Sequence, residues 1–357
     1  MFMLISEFKN IKISGMSVAV PPNQVPIDTY AETFGAKMVS EFIEMAGVKV
    51  VHRAEPEQTA SDLGFEAAQM LINTREIDVN KIGSLIFVTQ KPDQRVPSTA
   101  FLIHKRLGLS KECSCFDLNL ACSGYVYGLQ LIMSMLKHSA LPLALLITGD
   151  TSARTISPND RSMILLFGDS GTATLLERTN ENIELYISVR TDGRRFKAII
   201  TPSGAYRNMD APRERTQWGD RIVRSDYDTH MKGMDVFGFS ITDVPKLMKE
   251  LMDYLNTTPE TYDCFALHQA NLYIIKQIYR KLKIPVEKIP LSIDRFGNNS
   301  SNSIPLLLAD HYGNGQNKQI RTMMCGFGAG LSWGCCDTLL NTGNILPILY
   351  TDKYYRE

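Results

Sequence analysis

Short continuous apolar runs alternate with helix-length amphipathic runs along most of the chain. Residues 84–89, 115–118, 143–148, 164–167 and 173–177 read as strands. Their apolar positions are consecutive rather than alternating, as in strands covered on both faces. Residues 98–107 follow Pro97 and are closed by Gly108, which reads as a helix, and residues 124–137 read as a second. Later in the chain, 237–254, 271–282 and 303–311 read as helices, and 264–267, 321–325 and 331–339 as strands. The pattern predicts a layered α/β protein built from two similar βαβα halves, 1–180 and 181–357. Residues 205–230 break it, with five Arg, five acidic residues, Pro212, Trp218 and Gly219. A polar stretch of this length without periodicity is a functional or mobile loop, or a solvated surface excursion.

Composition narrows the choice. At 357 residues and 44% hydrophobic content, the chain suits two domains or one large unit of two halves. Its 38 basic and 38 acidic residues cancel, so no global field recruits nucleic acid or an anionic membrane. An anionic partner needs a local patch. The apolar start, residues 1–5, is followed at once by Glu7 and Lys9, so no signal peptide is expected. No run reaches the roughly 18 apolar residues of a membrane helix. Seven cysteines in a long chain without a secretion signal read as reduced thiols in a cytoplasm. Cys113 with Cys115, and Cys335 with Cys336, lack the spacing of a zinc site and read as small buried hydrophobes, so no metal is expected. His52, His104, His138, His230 and His311 read as surface or packing residues.

Three residues carry the chemistry. Cys122 stands in Asn119-Leu120-Ala121-Cys122-Ser123-Gly124, His268 in His268-Gln269-Ala270-Asn271, and Asn298 in Phe296-Gly297-Asn298-Asn299-Ser300. Cys122 opens a long apolar stretch that reads as a buried helix. A thiol at a helix N-terminus meets unpaired N–H groups, a setting that lowers a cysteine pKa from about 8.5 to roughly 3.5–7.5. A thiolate nucleophile carrying a covalent intermediate is the expectation. A Cys, then a His, then an Asn admit two mechanisms. In a papain-like arrangement the His takes the thiol proton and the Asn orients the His, but the local Cys signature of such proteases is absent. In the other, His268 and Asn298 both donate to an oxygen that becomes negative, each contributing about 2.7–4 kcal/mol in a dry site. That suits an enolate formed by decarboxylation.

The ordered landmarks Asp117-Leu118-Asn119-Leu120-Ala121-Cys122-Ser123-Gly124, Phe167-Gly168-Asp169-Ser170-Gly171, His268-Gln269-Ala270-Asn271-Leu272, Gly297-Asn298-Asn299-Ser300 and Gly326-Phe327-Gly328-Ala329-Gly330 resemble those of β-ketoacyl-acyl-carrier-protein synthase III, the initiating condensing enzyme of the thiolase superfamily. The resemblance runs from about Ile11 to Leu340. It implies a homodimer with a thiolase-like αβαβα five-layered fold and a ping-pong reaction. Cys122 would take an acyl group from a coenzyme A thioester. Malonyl on an acyl carrier protein would lose carbon dioxide, and His268 and Asn298 would hold the enolate. It also implies that the N–H groups of Cys122 and Ala329 form a second oxyanion hole and that Phe327 gates decarboxylation. Arg154 corresponds to an arginine that packs on the adenine of coenzyme A, with Phe42 in place of a tryptophan. Met45-Ala46-Gly47-Val48 departs from a family segment that holds a phosphate-contacting arginine. Asn271 either positions pantetheine or caps a helix. Lys276, Arg280 and Lys283 share a helical face that either is simply solvated or, as the resemblance implies, meets the carrier protein, with Tyr273 replacing an arginine of that surface. Val96 stands where some members hold a phenylalanine that caps the neighbouring subunit's acyl pocket, which implies a longer or branched primer. No permanently bound cofactor is implied.

Three other readings compete with this one. An acyltransferase of the same fold would pass the acyl-Cys group to an alcohol, amine or secondary metabolite. A hydroxymethylglutaryl-type synthase needs a glutamate near the thiol that the sequence does not show. A non-catalytic dimer partner would have no need to keep Cys122, His268 and Asn298 together.

Overall fold

The sequence Ile82–Val88, IGSLIFV, is buried at every position but Gly83, and it forms a central strand. Leu143–Asp150, buried throughout, lies beside it in parallel, and Ser114–Leu118 flanks its other edge, also parallel. These continuous apolar strands sit where the pattern placed them. The computed structural model describes residues 4–356, so Met1, Phe2 and Met3 of the apolar start lie outside the described residues.

Two mixed sheets form the frame. The first has six strands in the order Leu349–Tyr350, Ile11–Val20, Ser170–Arg178, Leu143–Asp150, Ile82–Val88, Ser114–Leu118. The second has five, in the order Ser6–Lys9, Glu184–Thr191, Ser332–Asn341, Gln319–Gly328, Cys264–Leu267. Residue 180 falls between Ser170–Arg178 of the first sheet and Glu184–Thr191 of the second. The ends of the chain cross over. Ser6–Lys9 joins the second sheet and Leu349–Tyr350 the first.

Helix Gly124–His138 lies between the sheets and touches strands of both, as does Ser303–Tyr312. Its apolar residues are spread around its circumference, which suits a helix enclosed on all sides. Ala60–Thr74 and Thr99–Leu107 cover the outer face of the first sheet, and Gly233–Tyr254 with Leu272–Leu282 cover that of the second. The result is five layers, αβαβα.

One reading needs correction, and one segment shows more order than its pattern suggested. Residues 164–167 are not a strand but a succession of turns, and within them only Phe167 forms a bridge, to Asn298. Their apolarity serves a separate cluster in which Ile164, Leu165 and Leu166 pack with Ile27, Phe34 and Val51. Residues 205–230 are not structureless. Thr216–Gly219 and Ile222–Arg224 make a hairpin. Arg215 holds the buried Asp228 at 2.9 Å, and Arg224 reaches the buried Asp160 at 3.4 Å. Arginine and aspartate far apart in sequence thus replace hydrophobic periodicity as the organising force. Several elements escaped the pattern, among them Ala60–Thr74. Its signal was local, because Thr59 and Asp62 form a capping box.

Candidate active site

Cys122 lies in the turn between strand Ser114–Leu118 and helix Gly124–His138, whose N-cap is Ser123. The strand end Gly326-Phe327-Gly328 presses against it. A Cβ on Gly328 would stand 2.7 Å from the Cys122 Cβ and 3.1 Å from its Sγ. Only glycine permits that approach. Beyond it, the Ala329 carbonyl accepts from Ser332 Oγ at 2.7 Å, and Ser332 Oγ meets Ser123 Oγ at 2.6 Å. These bonds tie the turn at Ala329 to the base of the nucleophile helix.

His268 follows strand Cys264–Leu267, and its N–H donates to the Cys325 carbonyl at 2.8 Å. Its ring meets Phe327 edge to face, with centroids 5.2 Å apart. Asn298 is held from both sides of its backbone. Its N–H donates to Leu166 and its carbonyl accepts from Gly168, at 2.8 and 2.9 Å. The fit is close enough that a Cβ on Gly168 would fall 2.2 Å from the Phe296 carbonyl. The turns at 164–168 are therefore the buttress of Asn298. Its Oδ1 accepts from the Ser300 N–H at 2.9 Å, so the amide NH2 is the free end, with only a long 3.5 Å contact to the Ala270 carbonyl.

Cys122, His268, Asn298 and Phe327 line one cavity of about 120 Å³, together with apolar residues that include Met231, Phe237 and Ile274. Burial dominates its electrostatics. It pushes the Cys122 thiol up to about 12, further raised by the charge of Asp150 and only partly offset by a hydrogen bond to Ser300. It pulls His268 down to about 3 against a main-chain hydrogen bond with Ser300. Burial therefore opposes the thiolate expected from the helix terminus. Burial favours the uncharged form of both the thiol and the imidazole. Imidazole Nδ1 has no partner among the described residues, which leaves it open to a ligand.

An outer groove of about 410 Å³ continues the cavity, sharing Leu166, Met231 and Asn271 with it. Phe42 lines this groove beside Met38 and Met45. Asn271 lines both spaces, but its Oδ1 is engaged as the N-cap of Leu272–Leu282, accepting from the Ile274 N–H at 2.7 Å. Arg154 is not part of the groove lining. Its guanidinium donates to the carbonyls of Glu55, at 2.8 Å, and Gln58. The guanidinium in the groove is that of Arg161, tied to the Asp220 carbonyl at 2.8 Å, and sequence reasoning missed it. Val96 is 80% exposed and lies apart from the cavity of its own chain. Lys276 and Arg280 sit on helix Leu272–Leu282, with Lys283 at its C-cap, and none of the three makes an ion pair among the described residues. Tyr273 stacks on Phe237, a cavity residue, with centroids 5.6 Å apart.

Ser300 also lines the centre of the site. Its φ is +51°, a left-handed conformation rare for a residue with a side chain. It bonds to Asn298 through its N–H, to His268 through its main chain and to Cys122 through its hydroxyl. Hydrophobic periodicity carries no signal for such a residue.

All seven cysteines are free. Among the described residues, no helix is long and apolar enough to cross a membrane, and no group of three or more His, Cys, Asp or Glu is placed to hold a metal ion.

Known proteins resemble this chain over most of its length. Residues 116–193 match the family described as 3-oxoacyl-[acyl-carrier-protein (ACP)] synthase III, and residues 252–338 match its C-terminal counterpart. A putative 3-oxoacyl-[acyl-carrier-protein] synthase 3 of Campylobacter jejuni is 33% identical, over 98% of this chain and 99% of the relative. The crystal structure of a 3-oxoacyl-(acyl-carrier protein) synthase from Burkholderia xenovorans superposes with a TM-score of 0.91 at 34% identity, covering 98% of this chain and 99% of that one. A 3-oxoacyl-(acyl carrier protein) synthase III from Pseudomonas aeruginosa gives 0.79 at 26% identity, covering 96% and 100%. With its five layers of thiolase-like architecture and its Cys, His and Asn on one chamber, the chain belongs to the β-ketoacyl-acyl-carrier-protein synthase III family.

Proposed function

We propose that this enzyme joins an acyl primer to malonyl on an acyl carrier protein, with loss of carbon dioxide, to give a β-ketoacyl-carrier product that initiates a fatty acid or a related chain. The observation that supports it best is the shared cavity of about 120 Å³ in which Cys122, His268 and Asn298 converge. In the first half-reaction the Cys122 sulfur attacks the thioester carbonyl of an acyl-coenzyme A, and the N–H groups of Cys122 and Ala329 receive the oxyanion. The free thiol of coenzyme A then leaves. In the second, the malonyl carboxylate departs as carbon dioxide, and the enolate oxygen accepts from His268 and the Asn298 amide. A neutral imidazole suits this role. Its one N–H can donate to the enolate oxygen, and the dry site strengthens that bond. The enolate carbon attacks the acyl-Cys carbonyl, and collapse frees Cys122.

Phe327, packed on His268, gates entry of the malonyl group in this reading. Pantetheine runs from the outer groove past Phe42 and Asn271 in this reading. Lys276, Arg280 and Lys283 offer unpaired cations to an acidic carrier protein. The enzyme works as a homodimer in which Val96 of each subunit faces the other's acyl pocket, and a longer or branched primer fits its small side chain. The two thioesters are the only small-molecule requirements.

Intact-mass measurement after incubation with a panel of acyl-coenzyme A thioesters tests this. The expected result is one acyl group on Cys122, discharged by malonyl-carrier protein with appearance of the β-ketoacyl product. Discharge to an alcohol or amine, with malonyl-carrier protein inert, would replace condensation by simple acyl transfer.

A further inference from the structure

The turns at 164–168 hold Asn298, and something must hold the turns. Their apolar side chains pack in a cluster, which fixes where the segment sits but not how its peptide groups point. Buried peptide groups are aimed by the partners they find. The Leu166 carbonyl accepts from the Asn298 N–H at 2.8 Å. The carbonyls of Ile164 and Phe167, on either side of it in sequence, both accept from Arg53. One terminal nitrogen of its guanidinium donates to Ile164 at 2.7 Å and the other to Phe167. Arg53 directly follows strand Val50–His52, its own N–H donates to the Asn23 carbonyl at 3.0 Å, and it is 9% exposed. Its two neighbours complete a clamp. The His52 carbonyl accepts from the Asp169 N–H, and the Asp169 carboxylate accepts from the Ala54 N–H, each at 3.0 Å. A methionine would fill much of the same space. What a guanidinium adds is two donors held in one rigid plane.

We propose that Arg53 is a positioning residue for decarboxylation: by fixing the carbonyls of Ile164 and Phe167 it sets the segment on which Asn298 rests, and with it the aim of the Asn298 amide. This rests on the reading above, in which that amide donates to the enolate oxygen. Arg53 does not line the cavity, so its effect is geometric. Leu166 lies between the two anchored carbonyls, Phe167 bridges to Asn298, and the Gly168 N–H donates to the Asn298 carbonyl at 2.9 Å. The contact has little slack. A Cβ on Gly297 would stand 2.5 Å from the Leu166 carbonyl oxygen. A rotation of the peptide groups at 164–167 is therefore passed on to Asn298 rather than absorbed between them.

The other two residues of the site rest on different supports. Cys122 is placed by the turn before helix Gly124–His138, by the close approach of Gly328 and by the bond between Ser123 and Ser332. His268 is held by the Cys325 carbonyl and by Phe327. None of these supports includes residues 164–168. Losing Arg53 should therefore separate the two half-reactions, sparing acylation and impairing decarboxylation. A misplacement of about 1 Å can cost about 10²-fold in rate, somewhat less than the about 10²–10³-fold that follows loss of a whole oxyanion donor.

The test measures Cys122 acylation by intact mass and malonyl-thioester decarboxylation by its kcat and KM. It compares wild type, Arg53→Met, Arg53→Lys, Asn298→Ala and the double variant of Arg53→Met with Asn298→Ala. Arg53→Met should lower kcat for decarboxylation about 10–10²-fold, with KM and acylation unchanged. Arg53→Lys should recover part of that loss, because a compact ammonium replaces one donor but cannot span two carbonyls. In the Asn298→Ala background Arg53→Met should cost nothing more, since the amide it aims is gone. Equal loss in both half-reactions, or losses that multiply in the double variant, overturn the positioning role and leave Arg53 a general support of the fold. Should Arg53→Met fail to fold, Arg53→Lys alone and combined with Asn298→Ala decides by the same comparison. If Asn298→Ala decarboxylates as fast as wild type, the reading of Asn298 falls and the role of Arg53 with it. If Asn298→Ala is impaired and both Arg53 variants match wild type, the role of Arg53 alone falls.

Discussion

The inner chamber and the outer groove solve opposite problems with the same kinds of residue. In the chamber every reactive side chain is buried and locked. Asn298 is fixed by Leu166, Gly168 and Ser300, and His268 by Cys325 and Phe327. In the groove the polar groups are half-exposed and satisfied by the protein itself. Arg161 is bound to Asp220, and Asn271 caps a helix. Rigidity inside serves charge that develops for an instant and must be met without reorganisation. The groove needs only to admit a long arm. Removing one buried donor should therefore cost far more than altering the mouth.

The largest expected effect is at Asn298. Asn298→Ala should leave Cys122 acylation intact and lower malonyl decarboxylation about 10²–10³-fold, the loss typical of one oxyanion donor. A comparable loss of acylation, read by intact mass, would place Asn298 in both half-reactions and blur the contrast.

The next effect is on stability. Native His268 titrates near 3 and the unfolded chain near 6.5, so below 6.5 the unfolded state binds the extra proton and folding is disfavoured. Between pH 7 and pH 5, wild type should lose about 2 kcal/mol relative to His268→Gln, from a difference of about 1.5 pH units at 1.36 kcal/mol each. Denaturant titrations at the two pH values check it, and parallel curves for the two proteins would count against a buried neutral imidazole.

The smallest effect belongs to the exposed face. Reversing Lys276, Arg280 and Lys283 to Glu should raise KM for malonyl-carrier protein while leaving acyl-coenzyme A unaffected. Exposed pairs contribute about 0.2–1 kcal/mol each, and salt screens them, so the rise should be roughly tenfold at low salt and shrink as salt increases. A rise that does not respond to salt would remove charge from the carrier contact.

Legibility followed a similar division. Cys264–Leu267 was read to the residue because four buried apolar positions in a row admit little else. Gly108 closed its helix as expected, in a left-handed conformation with φ +63°. Residues 164–167 misled because apolar runs report burial, and a packed turn is buried as thoroughly as a strand. Ala60–Thr74 was passed over although its capping box was present in the letters. Arg161 and Ser300 were illegible for a different reason. A polar residue takes its role from what stands opposite, and Asp220 and Cys122 are distant in sequence.

The amino-acid order alone determined the alternation of strand and helix, the five landmarks and the identity of the three residues at the centre. Those depend on local periodicity and on chemistry that few residue types can perform. The structure alone decided how deeply the thiol and the imidazole are buried, the buttress beneath Asn298 and the contact of Ser300 with Cys122. Each depends on how much water the fold removes and on which distant groups it brings into contact, and neither quantity is written along the chain.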